Sequence, residues 1–153
     1  MLGSPVEGIP LYVSGYRFGD YRSPYPDWSN KKHEGLDLRA RDSDGEPVTI
    51  LAIADGVVVY AGNMMQSDPS KPSDYGNYVI IQHDNGLVSW SAHLEYTVVS
   101  EGYRVTKGDV LGLAGSTGNS QGVHLHLTIQ HPGHGLANFI VGDVLDPAPL
   151  LGL

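Results

Sequence analysis

Apolar and polar residues alternate along much of this chain with a period of two, and no segment of useful length carries a helical period. The clearest case is residues 123–130, where Val123, Leu125, Leu127 and Ile129 fall on one face of a strand and His124, His126, Thr128 and Gln130 on the other. Residues 48–61 are two apolar runs broken by Ala54-Asp55-Gly56, a pattern that predicts a hairpin. Residues 78–83 and 87–94 flank Asp84-Asn85-Gly86 and predict a second. Lys107-Gly108-Asp109 reads as a turn before a strand at 110–114, and the run 115–122 reads as a loop. Residues 63–75 are polar, contain two prolines and read as a long surface loop. Residues 1–32 read as an extended arm with a short strand at 11–13, and the proline-containing tail is expected to pack along the body.

Composition narrows the fold class. Glycine (20) and proline (10) make up about a fifth of the 153 residues, against an average nearer an eighth. Both are poor in helix interiors, which argues against a helix bundle and suits short strands joined by tight turns. The expected architecture is a single all-β domain, a compact antiparallel β-sandwich or barrel over 1–153. Its expected parts are the arm (1–32), a core (33–130) and a tail (131–153). The absence of cysteine removes disulfides, cysteine zinc sites, iron–sulfur clusters and thiol catalysis together. A net charge of −8 argues against nucleic acid as a partner, because phosphate binding needs a basic face. No apolar run approaches the ~20 residues of a membrane helix. The opening MLGSPVEGIP has no signal-peptide pattern, so the chain reads as soluble, and a monomer is expected.

The candidate chemistry lies in the seven histidines, five of them after residue 92. His124 and His126 share a strand face with Cα atoms roughly 6.5–7 Å apart, close enough for one to hold a metal while the other reaches a water or substrate. An H-x-H pair is equally compatible with a plain polar outer face. His33 and Asp37 would stand about 13 Å apart on a straight strand, too far to share a metal, so their segment must bend. Gly35, between them, makes a bend easy. A His/Asp/His set suits zinc, and three protein ligands leave a fourth position for water, as in catalytic sites. His93 ends an apolar-patterned strand and is a candidate general base or oxyanion donor if it lies near such a metal. His83 reads as a hairpin residue, and His131 and His134 as solvated loop residues.

Taken in order, His33-x-x-x-Asp37, Ser91-Ala92-His93-Leu94 and Gly115-Ser116-Thr117-Gly118-Asn119-Ser120 leading to His124-Leu125-His126 resemble the lysostaphin-type (LytM-like) zinc metallopeptidases. Ser14-Gly15-Tyr16-Arg17-Phe18-Gly19, Ala54-Asp55-Gly56-Val57-Val58, Gly76-Asn77-Tyr78-Val79, Val105-Thr106-Lys107-Gly108-Asp109 and Asp146-Pro147 also fit, so the resemblance covers about residues 11–149. It implies a mainly antiparallel β fold with a zinc site in a loop-walled groove. It implies one Zn2+ held by His33, Asp37 and His126, with His93 and His124 as the catalytic pair. It further implies endopeptidase action on bacterial peptidoglycan cross-links, in an extracytoplasmic location (periplasm, or secreted to the cell wall), with residues 63–75 and 115–122 as groove walls.

Two other readings compete. A catalytically silent relative would bind wall or regulate another hydrolase, and would be expected to have a broken ligand set, whereas all five positions are filled here. Phosphocarrier or lipoyl-carrier domains share barrel-like folds, but the former need no His-x-x-x-Asp pair. The latter need a lysine at a hairpin tip, which Ala54-Asp55-Gly56 and Asp84-Asn85-Gly86 lack.

Overall fold

A computed structural model describes residues 2–20, 33–63, 75–131 and 144–153. Within them lie strands β1 (Leu36–Arg39), β2 (Thr49–Leu51), β3 (Gly56–Gly62), β4 (Asn77–His83) and β5 (Val88–Thr97). These are followed by β6 (Arg104–Val105), β7 (Val110–Ala114), β8 (His124–Gln130), β9 (Val144–Leu145) and a single helical turn, α1 (Pro147–Leu150). The strands form one antiparallel sheet of nine, with the order β1-β8-β5-β4-β3-β6; β7 pairs with β5 and carries β2, and β9 flanks β8. The all-β antiparallel expectation holds. The sheet is not closed into a barrel, because β1 and β6 end the path without meeting.

The long strand β5 explains the branching. Its first half, 88–92, pairs with β8, and its second half, 94–97, pairs with β7. Leu36 and Leu38 from β1, Leu125, Leu127 and Ile129 from β8, and Leu94, Ile50 and Leu111 meet in the main core, all 1% exposed or less. Burying them supplies the main drive for folding, at roughly 1.5–3 kcal/mol per side chain before entropy is subtracted. A smaller cluster of Tyr75, Tyr78, Ile80, Val88, Trp90 and Ala92 packs elsewhere on the sheet.

The hairpin around Asp84-Asn85-Gly86 forms as expected, joining β4 to β5 with Gln82 opposite Val88 and Gly86 at a φ of 90°. The one expected at Ala54-Asp55-Gly56 does not. β2 pairs with β7, and β3 pairs with β4 and β6. Gly56 serves close strand approach here: an added Cβ would lie 2.4 Å from the Gln82 carbonyl oxygen. Asp55 caps a neighbouring turn, accepting from the Lys107 amide at 2.7 Å. In the arm, 11–13 forms no strand; Val13 makes one isolated bridge to Leu38, and Val6 another to Ile50. Asp146 caps α1 through its Oδ1 and the Ala148 amide, and Ala148 reaches the core. Residues 64–74 of the expected polar loop, His134 and most of the segment leading into β9 lie outside the described residues.

Candidate metal centre

Asp37 stands directly opposite His126 in the β1–β8 register, and Arg39 opposite His124. That pairing brings a carboxylate and an imidazole from residues 89 apart in sequence within reach of one another. His33 precedes β1, and the chain bends at Gly35 between them. Its reason for being glycine is more specific than a bend. A Cβ on residue 35 would sit 2.5 Å from the Leu127 carbonyl oxygen and 2.8 Å from both His126 Nε2 and Thr128 Oγ1. Gly35 therefore lets the His33–Asp37 segment lie flat on β8, which a bend alone does not require.

Three atoms converge. His33 Nε2 lies 3.0 Å from His126 Nδ1 and 3.2 Å from Asp37 Oδ1, and His126 Nδ1 lies 3.1 Å from the same oxygen. All three residues are buried. Two nitrogens and an oxygen bound tetrahedrally to one zinc at ~2.0–2.1 Å would stand about 3.3 Å apart. The donor set therefore matches the ion in both type and spacing. Neighbouring groups aim it. The Nδ1–H of His33 donates to the Arg17 carbonyl at 3.2 Å, leaving its Nε2 lone pair facing inward. The Tyr16 amide donates to Asp37 Oδ2 at 3.3 Å, leaving Oδ1 to the histidines. Gly15 allows this close passage, since its Cβ would meet Asp37 Oδ2 at 2.9 Å.

The electrostatics follow from burial and from these contacts. Burial pushes the Asp37 carboxyl up, but hydrogen bonds from His124 and His126 and the proximity of His33 outweigh it and hold the group well below the usual carboxylate range. Burial lowers the pKa of His126 despite the pull of Asp37. His93 is pushed down to about 4, first by burial and then by repulsion from His126, against the opposing Thr117 carbonyl. For His124, burial resists a charge, yet the hydrogen bond and charge of Asp37 prevail and raise its pKa.

His93 shows how the fold overrides a simple strand pattern. Trp90 and Ala92 belong to the smaller cluster, whereas Leu94 belongs to the main core, so the alternation slips by one residue at position 93. The slip is made by a φ of +64° at His93, the one positive value at a non-glycine position among the described residues. Such a conformation costs of order 1 kcal/mol or more and persists only where the surroundings enforce it. Here the His93 amide donates to the Tyr75 carbonyl at 2.8 Å and its Nδ1–H to the Thr117 carbonyl at 2.8 Å. Thr117 is itself tied down, donating to the Leu94 carbonyl at 2.6 Å and accepting from the Asn77 amide at 3.1 Å. The result turns the His93 ring toward His124 and His126, at centroid distances of 4.8 and 5.9 Å. The strand expected over 87–94 runs on to Thr97.

His124 completes the group. Its Nε2 lies 3.6 Å from Asp37 Oδ1, and its Nδ1–H donates to the Gly122 carbonyl at 2.9 Å, with Ser120 Oγ at 3.2 Å. His33, Asp37, His93, His124 and His126 all line one open groove of about 710 Å3. One wall is residues 119–122 of the expected loop; the other includes Ser14, Gly15 and Tyr16, which the sequence pattern did not mark as a wall. The polar face of β8 is not a solvated outer face, since His126, Thr128 and Gln130 are 3%, 0% and 1% exposed. His83 is also buried, bonded to the Ala54 carbonyl and Ser89 Oγ away from the groove. His131 is exposed.

Two further residues, Glu34 and Tyr75, are not singled out by the sequence pattern. The Tyr75 hydroxyl donates to buried Glu34, and the Tyr75 ring stacks on His126 with centroids 5.3 Å apart. The signals were their places: Glu34 inside the His33–Asp37 segment, and Tyr75 immediately before Gly76-Asn77.

An antiparallel sheet presenting this donor set on the floor of an open groove has the make-up of a metallopeptidase fold. The chain belongs to Peptidase family M23, whose model matches residues 31–138. The catalytic domain of lysostaphin from Staphylococcus simulans is similar in structure, with a TM-score of 0.70, 27% identity and 91% of each chain covered. LytU is similar as well, with a TM-score of 0.67, 28% identity, and 97% of this chain and 84% of that one covered. The DD-carboxypeptidase/endopeptidase Mpg of Neisseria meningitidis serogroup B is 42% identical over 94 residues, 61% of this chain and 19% of that protein. The murein hydrolase activator NlpD of Escherichia coli is 37% identical over 101 residues, 66% of this chain and 24% of that protein. The matches thus span a quarter or less of these curated relatives' length.

Proposed function

We propose that this chain is a zinc-dependent endopeptidase that hydrolyses peptide cross-links of bacterial peptidoglycan outside the cytoplasm, working as one domain. The observation that carries the reading is the convergence of His33 Nε2, Asp37 Oδ1 and His126 Nδ1 within 3.0–3.2 Å of one another, beside His93 and His124 in the same groove. Likeness to Mpg, whose name gives carboxypeptidase and endopeptidase activities, and to the catalytic domain of lysostaphin supports it.

In this reading His33, Asp37 and His126 hold one Zn2+, which when bound supplies Lewis-acid chemistry to a water and to the scissile carbonyl. The two remaining histidines divide the proton work. His93 stays neutral at pH 7, and with its Nδ1–H given to Thr117 its Nε2 lone pair is the acceptor for the proton of the attacking water. His124 gives its Nδ1–H to the Gly122 carbonyl, and in its protonated form presents Nε2–H as the donor to the developing oxyanion. The proton taken up by His93 then passes to the departing amine as the C–N bond breaks.

A second reading has one specific support: the likeness to NlpD, named as a murein hydrolase activator. A non-catalytic scaffold would bind wall or a hydrolase without turnover. The two separate in one assay. Purified protein loaded with one equivalent of zinc is incubated with peptidoglycan preparations of differing cross-link chemistry, with and without a chelator, and new amino groups are counted. Chelator-sensitive release is expected. Release from none of the walls, by protein shown to contain zinc, overturns the enzymatic reading.

A further inference from the structure

The His126 ring has two nitrogens facing two different demands. Nδ1 faces the Asp37 carboxylate at 3.1 Å and the inward nitrogen of His33 at 3.0 Å. Nε2 faces Thr128 Oγ1 at 2.9 Å, in a place with no room even for a methyl group on Gly35. Thr128 is 0% exposed, and His126 3%.

In the metal-free chain Nδ1 faces a carboxylate oxygen, and the His33 nitrogen beside it belongs to a ring whose other nitrogen is directed at the Arg17 carbonyl, so the geometry at Nδ1 calls for a donor. Nδ1 therefore carries the proton of the neutral ring, and Nε2 is a buried lone pair that needs a donor. With a metal held at the site, Nδ1 must offer its lone pair. The neutral ring then carries its proton on Nε2, and that N–H needs an acceptor. The proton count of the ring is unchanged, but the requirement placed on its outer partner reverses. A carboxylate in place of Thr128 could only accept, and an ammonium could only donate. A hydroxyl does either by rotating about one bond, with no heavy atom displaced.

We propose that Thr128 is a positioning residue that accommodates both tautomers of His126, donating to Nε2 when the site is empty and accepting from it when zinc is bound. Thr128 so stabilises the ligand-ready ring without excluding the metal-free state. This rests on the metal site put forward above. It adds to that site a partner on the same strand, two residues beyond the histidine, where successive side chains of one face lie side by side. Loss of such an outer partner typically weakens metal binding 10–100-fold.

The test uses zinc affinity and ring tautomer, and neither depends on turnover. Zinc affinity is measured by competition with a chromophoric chelator for the wild type, Thr128→Val and Thr128→Ser. Long-range 1H–15N spectra of the 15N-histidine-labelled wild type report which nitrogen of His126 is protonated, with and without zinc. Expected are a 10–100-fold weaker affinity for Thr128→Val, restoration to within about threefold by Thr128→Ser, and a change from Nδ1–H to Nε2–H on zinc binding. Thr128→Val affinity equal to that of wild type, or the same His126 tautomer in both states, overturns the inference while leaving the metal site standing. A wild type that takes up no zinc overturns both. Should Thr128→Val fail to fold by urea titration, the wild-type tautomers and Thr128→Ser still decide: an unchanged tautomer or a tenfold loss in the serine variant refutes the proposal.

Discussion

Gly35→Ala isolates how the candidate metal centre depends on strand packing. The φ of Gly35 is open to any residue, so the perturbation is steric alone. The new methyl would lie 2.5 Å from the Leu127 carbonyl oxygen, a backbone atom that cannot swing aside, and 2.8 Å from His126 Nε2 and Thr128 Oγ1. Restoring ordinary contact needs β1 to retreat from β8 by about 1 Å, and overpacking of this kind costs about 1–3 kcal/mol. Leu36 and Leu38, fully buried on β1, loosen with it. For a chain of this size that amounts to a melting temperature lower by about 2–12 °C. The same retreat parts His33 and Asp37 from His126, so zinc affinity should fall at least about tenfold. Urea and thermal unfolding of the metal-free protein measure the first effect, and chelator competition the second. Gly122→Ala is the stability control, because a methyl there meets open space. If Gly35→Ala matches wild type in both unfolding midpoint and zinc affinity, the claim that glycine is needed for close approach is wrong.

His93→Asn should retain most stability, since asparagine tolerates a positive φ, while wall hydrolysis drops about 10²–10⁴-fold; amino-group release and far-UV circular dichroism on the same sample check both. The metal-free protein should lose stability on acidification from about pH 6.5 to 4, because unfolded His93 takes a proton near 6.5 and folded His93 only near 4. The contribution of this residue is at most about 3 kcal/mol, and urea unfolding across that window should be flatter for His93→Asn. Asp37 adds to acid sensitivity at lower pH: its depressed folded value gives stability that is complete above the ordinary carboxylate range and is lost as pH falls below it. Thr117→Val removes a donor to the Leu94 carbonyl and an acceptor for the Asn77 amide. It should cost about 1–3 kcal/mol in urea unfolding and reduce hydrolysis by loosening the anchor of His93.

Local pattern was a good guide where one strand or one turn decides the outcome. The alternation over 123–130 places Leu125, Leu127 and Ile129 in the core as expected, and Asp84-Asn85-Gly86 makes its hairpin between adjacent strands. Motif order was informative as well, because the family resemblance needs only residue types in sequence, and the family match bears it out. The pattern misled where the partner lies far along the chain. Nothing local to 48–61 reveals that β2 joins β7 and not β3, since Gly56 is used for close approach to β4 rather than for a tight turn.

What the sequence determined by itself, then, was the kind of protein: an all-β domain without cysteine, carrying His and Asp residues in an order that resembles a zinc peptidase. The tertiary structure decided which atoms meet. The β1–β8 register sets Asp37 against His126, and the slip in β5 turns His93 toward them through a strained backbone that its neighbours enforce. The same packing buries the polar face of β8 that the alternation had left compatible with solvent. The physical reason is one of range. Alternation and turn chemistry act over a few residues, whereas lone-pair direction, burial and pKa at this centre are set by contacts between segments up to 93 residues apart.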